Sequence, residues 1–191
     1  MIRIGIILGS TRPNRVGAQV GEWVFELASL RDDAEFELVD LRDYPLPHLD
    51  EAEAPYFGRY QNDHTKAWAQ KIGSFDGFVI VTPEYNGSVS GVLKNALDYP
   101  FAEWHDKAVG FVSYGMAGGT RATAQLRVIA GELQLASVRQ QVALSLVTEF
   151  VDFHVFKPGD YNVPNLDALL SQVISWSNAL APLRAPVGAI Q

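Results

Sequence analysis

Two stretches of this 191-residue chain carry side chains that could do chemistry. The first is Gly9-Ser10-Thr11-Arg12-Pro13-Asn14-Arg15-Val16-Gly17, with two hydroxyls and two guanidinium groups. Guanidinium forks match phosphate oxygens, so this stretch suits an anion. The second is Thr82-Pro83-Glu84-Tyr85-Asn86-Gly87-Ser88, which carries an aromatic and a flexible Asn-Gly pair. A glycine-rich stretch, Ser113-Tyr114-Gly115-Met116-Ala117-Gly118-Gly119, would let backbone come close to a flat ligand. What is missing bounds the chemistry further. The chain has no cysteine, which excludes disulfides, thiolate metal sites and a thiol nucleophile. His48, His64, His105 and His154 are scattered without ligand spacing, so no metal site is expected.

Each stretch sits where a strand hands over to a helix. An apolar run over residues 2–8 precedes the first, and a helical stripe of Val20, Trp23, Val24, Leu27 and Ala28 follows it. The unpaired N–H groups and positive dipole end of that helix would also favour an anion. The second stretch follows the β-branched run 77–81 and precedes residues 91–98, where Val92, Leu93, Ala96 and Leu97 share a face. The third follows a strand over 108–113 and precedes a helix from Thr120 to about Leu135. Further strands are expected at 35–40, with Leu41 as a possible extension, and within 138–146. Helices are expected at 64–74 and 166–183. Residues 43–63, with three prolines and Tyr56, Phe57 and Tyr60, read as a long loop, and 150–165 as irregular.

Five strands alternating with helices predict an α/β three-layer sandwich: a five-stranded parallel sheet with helices on both faces. Loops at the carboxyl ends of such strands bind ligands. The dinucleotide fingerprint is absent after the first strand, and so is the triphosphate-binding loop with its lysine. A phosphate at the first loop and a planar ring between the other two describe a mononucleotide such as FMN.

The motifs Leu8-Gly9-Ser10-Thr11-Arg12, Pro83-Glu84-Tyr85-Asn86 with Leu93-Lys94-Asn95-Ala96 at fixed distance, and Gly118-Gly119 with Arg121-Ala122 resemble the NADPH-dependent FMN reductases. This is a flavodoxin-like family of quinone, azo-dye and chromate reductases. The resemblance implies one domain over 1–191 that binds FMN and uses NADPH or NADH. Hydride would pass through the flavin to a small-molecule acceptor. It implies that Ser10, Arg12, Asn14, Arg15, Val16 and Gly17 hold the phosphate. Pro83, Glu84, Tyr85, Asn86 and Gly87 would line the ring, largely through backbone N–H groups, and Ser113 and Gly115 would close its other side. It implies no catalytic side chain, since the flavin carries the chemistry. A homodimer or homotetramer is implied, with Lys94 and Asp98 either an exposed helix pair or an oligomer contact. Tyr56, Phe57 and Tyr60 would cover the flavin or meet a partner subunit. Two departures from the family pattern, Gly87 after Asn86 and Ser90 before the helix glycine, would fall on the pocket rim.

Composition narrows the partners. A hydrophobic share of 48% and a charged share of 19% suit a soluble globular protein, and a net charge of −7 disfavours nucleic acid. No apolar run is long enough for a membrane helix, and the first residues show no secretory pattern, so a cytoplasmic protein is expected. A flavodoxin-like electron carrier that does not use NAD(P)H is the alternative.

Overall fold

The apolar runs form five parallel strands whose order reverses beside the first. A computed structural model describes residues 1–184. In chain order the sheet strands are β1 (Arg3–Leu8), β2 (Glu35–Asp40), β3 (Gly77–Pro83), β4 (Lys107–Gly115) and β5 (Leu135–Ser145). The helices are α1 (Gly17–Ala28), α2 (Asp63–Gly73), α3 (Gly91–Asp98), α4 (Thr120–Glu132) and α5 (Asn162–Arg184). The sheet order is β2-β1-β3-β4-β5, all parallel. β3 and β4 are buried along their whole length, as a strand covered on both faces must be, which explains their near-continuous apolar sequence.

The two faces bury separate cores. Ile4, Ile6, Val79, Val81 and Val112 pack under α1 and α5, against Val20, Val24, Leu169 and Val173. Ile7, Phe78, Ile80, Val109 and Phe111 pack under α2, α3 and α4, against Trp68, Leu93, Leu97 and Leu126. Trp104 fills the same core and stacks edge-on against both Phe78 and Trp68.

Several boundaries differ from those the sequence predicts. α4 stops at Glu132 and β5 begins at Leu135, ahead of the expected 138–146. Gln134 makes the break by adopting a left-handed φ of 53°. Leu41 turns into a short 3₁₀ turn and does not extend β2. Residues 150–165 are partly regular: β6 (Phe150–Val151) and β7 (Val155–Phe156) form an antiparallel ribbon, and α5 starts at Asn162. The 43–63 segment is a loop with one 3₁₀ turn at Pro55–Phe57. Tyr56 stacks on Phe101, and Tyr60 donates to Glu103 at 2.8 Å. Phe101 and Glu103 lead into the first residue of β4, so these aromatics lie toward the far end of the sheet from the three loops.

Candidate functional site

The β1, β3 and β4 loops meet at the carboxyl edge of the sheet, beside the β1/β3 strand-order reversal. A 3.4 Å contact between the hydroxyls of Ser10 and Tyr85 joins the first loop to the second. Glu84 N–H donates to the carbonyl of Tyr114 at 3.0 Å, joining the second to the third.

The first loop presents donors. Arg15 N–H closes a turn on the carbonyl of Arg12 at 3.3 Å, with Asn14 left-handed at φ 56° and exposed. Arg12 is exposed, and among the described residues its guanidinium makes no hydrogen bond or ion pair. No side chain caps the α1 N-terminus, which opens at Val16 and Gly17, and no acid lies in its first turn. Gly17 is required by packing: a Cβ there would lie 2.9 Å from Cζ of Tyr114. Tyr114 is itself buried, and burial first, then Tyr85, raises its phenol above the ordinary range, so it stays protonated.

Arg15 departs from the expected role. Its forked amines are turned inward onto the carboxylate of Asp40, at 2.8 Å for Nη1, and onto the carbonyl of Ser10. The side chain is 5% exposed, so these groups are not presented to a phosphate. Burial pushes the Asp40 carboxyl up. Hydrogen bonds from Arg15 and from Arg42 N–H outweigh that and hold it below the usual range.

The second loop is a tight hairpin. Tyr85 and Ser88 exchange backbone hydrogen bonds of 2.9 and 3.0 Å around Asn86 (φ 51°) and Gly87 (φ 77°). Two left-handed central residues make a type I′ turn, which Asn-Gly favours. The pairing uses the N–H groups of Tyr85 and Ser88, and Tyr114 takes that of Glu84. The donors left for a ring are therefore those of Asn86 and Gly87, fewer than the sequence suggests. The Glu84 carboxylate does not line the loop's open side either. It accepts from the backbone N–H of Arg121 at 3.0 Å and from its Nε at 2.7 Å, pinning the start of α4. Burial raises that carboxyl, and the Arg121 bonds bring it below the ordinary range. Pro83 is buried at the end of β3.

In the third loop Ser113 is buried and donates to the carbonyl of Gly118 at 2.7 Å. Gly115 is buried beside Glu84, so the exposed residues here are Met116 and Ala117, which sequence reasoning passed over. Ser90 is not on a rim: it is 2% exposed, accepts from Leu93 N–H at 3.2 Å and donates to the carbonyl of Gly9. Gly87, by contrast, has open space where a Cβ would stand. Lys94 and Asp98 bond to each other within α3 at 2.6 Å.

The first loop therefore combines an unpaired guanidinium and an uncapped helix N-terminus, with the Ser10 hydroxyl behind them, 2% exposed and in contact with that of Tyr85. That donor set fits the phosphate of a mononucleotide. A sequence profile of the NADPH-dependent FMN reductases matches residues 2–149. The chain belongs to that family. An NAD(P)H-dependent FMN reductase of Schizosaccharomyces pombe is 42% identical over 146 residues, covering 75% of this chain and 73% of the relative. A quinone reductase of Pseudomonas putida is 31% identical over 183 residues, covering 91% of this chain and 93% of the relative. A solved structure of the flavoenzyme FerB, an NAD(P)H:acceptor oxidoreductase from Paracoccus denitrificans, superposes with a TM-score of 0.73 at 19% identity. It covers 94% of this chain and 98% of that one, and shares the fold. As an FMN reductase the chain is an oxidoreductase with FMN as cofactor and NAD(P)H as co-substrate, which decides the question of enzyme against carrier. Among the described residues no helix is long and apolar enough to cross a membrane.

Proposed function

We propose that the three loops hold FMN over the edge of β1, β3 and β4. The chain would thereby oxidise NAD(P)H and reduce a small acceptor such as a quinone, an azo compound, a metal oxyanion or free flavin. The observation that carries the reading is the exposed, unpaired guanidinium of Arg12 beside the uncapped start of α1. Arg12, Asn14 and the first N–H groups of α1 would bind the phosphate, and the buried Ser10 hydroxyl would join them by turning from its contact with Tyr85. The N–H groups of Asn86 and Gly87 would meet the polar edge of the ring. Arg15 and Glu84 act through others: Arg15 fixes the Ser10 carbonyl, and Glu84 fixes the start of α4. Bound FMN supplies hydride acceptance and electron delivery. The chain's own contribution is orientation and donors at positions where negative charge gathers. Met116, Ala117 and Tyr85 are exposed around the loops and would bound the space where the second substrate enters.

We further propose that the described residues 1–184 form one domain, the rest of the expected 1–191 lying outside the described residues, that it works as a homodimer or homotetramer, and that it is cytoplasmic. The exposed Tyr56 and Phe57 support an oligomer, since neighbouring exposed aromatics mark contact surfaces. The test is anaerobic. Protein loaded with FMN is mixed with NADPH, and flavin absorbance near its visible maximum is followed. Bleaching within seconds, then recovery on adding a quinone, is the expected result. A flavin still oxidised after minutes sinks the proposal.

A further inference from the structure

A second anion-ready place lies across the first loop from α1. A groove of about 300 Å³ runs between the segment after β2 and the first turns of α3. Thr11, Arg42, Tyr44, Leu46, Val92 and Asn95 are among its walls. Its volume is at the low end of the roughly 300–1,000 Å³ of ligand pockets, which suits one nucleoside and not a dinucleotide. No aspartate or glutamate lines it, in a chain of net charge −7.

Four arginines stand at this edge of the sheet. Arg15 is ion-paired with Asp40 and Arg121 with Glu84. Arg12 belongs to the first loop. Arg42 is the one that faces the groove, and among the described residues it forms no ion pair. One of its amines holds the carbonyl of Arg12 at 2.7 Å, which anchors the guanidinium beside the flavin loops. Asp40 accepts the backbone N–H of Arg42 at 2.9 Å while its carboxylate is bridged by Arg15, so the Arg42 guanidinium feels Asp40 only at a distance and makes no direct ion pair among the described residues. Tyr44 supplies a half-buried ring held against Trp68, with centroids 4.8 Å apart.

We propose that this groove takes the adenosine half of NADPH, with Arg42 on the 2′-phosphate and Tyr44 beside the adenine. The proposal rests on the flavin reading of the three loops, because Thr11 connects the groove to them. An arginine reads a phosphate monoester as a charge-assisted fork, and NADH has no such group to offer it. The groove would make the enzyme selective for NADPH.

The test compares kcat/KM for NADPH and NADH in the wild type, Arg42→Ala and Arg42→Lys. Taking the ratio cancels any general loss caused by loosening the first loop. The wild type should favour NADPH at least tenfold, Arg42→Ala should lower that ratio at least tenfold, and Arg42→Lys should fall between. Calorimetry with adenosine 2′,5′-bisphosphate should show binding that weakens at least tenfold in Arg42→Ala. A smaller change in either quantity overturns the assignment. If the wild type oxidises neither nucleotide, the flavin reading fails instead, and the calorimetric titration still reports on the groove.

Discussion

Arg15 bridges Asp40 and the carbonyl of Ser10, so the last residue of β2 holds the first loop after β1 from beneath. Parallel pairing makes this possible: Leu8 is the register partner of Asp40, which puts the carboxylate level with the end of β1. Two arginines three residues apart thus have different work. Arg15 is built into the scaffold, and Arg12 faces outward.

Separate substitutions should expose that division. Arg12→Ala removes a charge-assisted donor and should raise the dissociation constant for FMN at least tenfold, equivalent to about 1.5–3 kcal/mol. Its effect on urea stability should stay under about 0.5 kcal/mol, as for a surface change. Arg15→Ala leaves the Asp40 carboxylate without its partner. It should cost about 2–3 kcal/mol in urea denaturation, below the ~3–5 kcal/mol of a fully buried pair, since Asp40 is 24% exposed. Equal stability losses in the two variants would contradict the assignment.

Gly17→Ala tests the contact between α1 and Tyr114. The new methyl has no room beside the phenol, so the variant should lose about 1–3 kcal/mol and bind FMN more weakly. Tyr114→Phe removes the oxygen nearest to Gly17 and should recover part of the loss. A double-mutant cycle measures the coupling, and strict additivity would mean that the clash is relieved elsewhere.

Ser90→Ala should cost about 1–2 kcal/mol by thermal or urea unfolding, through loss of an N-cap and of a buried bond to Gly9. Because Gly9 begins the first loop, FMN affinity should fall with stability. The backbone at Ser90 has φ −65°, which a proline would accept. Ser90→Pro should therefore resemble Ser90→Ala and show no additional backbone penalty.

Acid should unfold the protein through a few carboxylates. Burial raises Asp40, Glu84 and Glu149, but their donors outweigh it: Arg15 for Asp40, Arg121 for Glu84, and Tyr161, Gly159 N–H and Asn162 for Glu149. All three are held below the ordinary range, so the fold favours their charged forms. Their stabilisation is complete above the unfolded values of about 3.9 for Asp and 4.3 for Glu. It is lost as pH falls through the lower folded values. The urea midpoint should be level between about pH 7 and 5 and drop below about 4. Asp40→Asn should flatten part of that drop, and a curve unchanged by this substitution would count against it.

Much of the architecture was legible because periodicity is local. Val79, Ile80 and Val81 announce a strand, and Val92, Leu93, Ala96 and Leu97 a helix, without regard to distant partners. The placing of three loops at the carboxyl ends of β1, β3 and β4 was legible for the same reason. The end of α4 was not, because Gln134 takes the left-handed position where a glycine would have marked the stop, and the apolar spacing runs on to Leu133 and Leu135. The inward turn of Arg15 was hidden for another reason. Its partner is 25 residues away and becomes a neighbour only when β2 pairs with β1. The commitment of Glu84 to Arg121 and of Ser113 to Gly118 depends likewise on how loops meet in space.

α5 carries a consequence for synthesis. It lies beyond the stretch shared with the family profile, yet Leu166, Leu169, Leu170 and Val173 close the core over β4 and β5. A nascent chain has translated every residue of the three loops when it reaches Ser145, but the face of β4 and β5 that α5 covers is still wet. At about 5–20 residues per second, the stretch from there to Arg184 takes roughly 2–8 s. During that interval the strands that carry the loops lack the part of their floor that α5 supplies. The floor under β4 and β5 therefore arrives with α5, after the loops that we propose hold FMN.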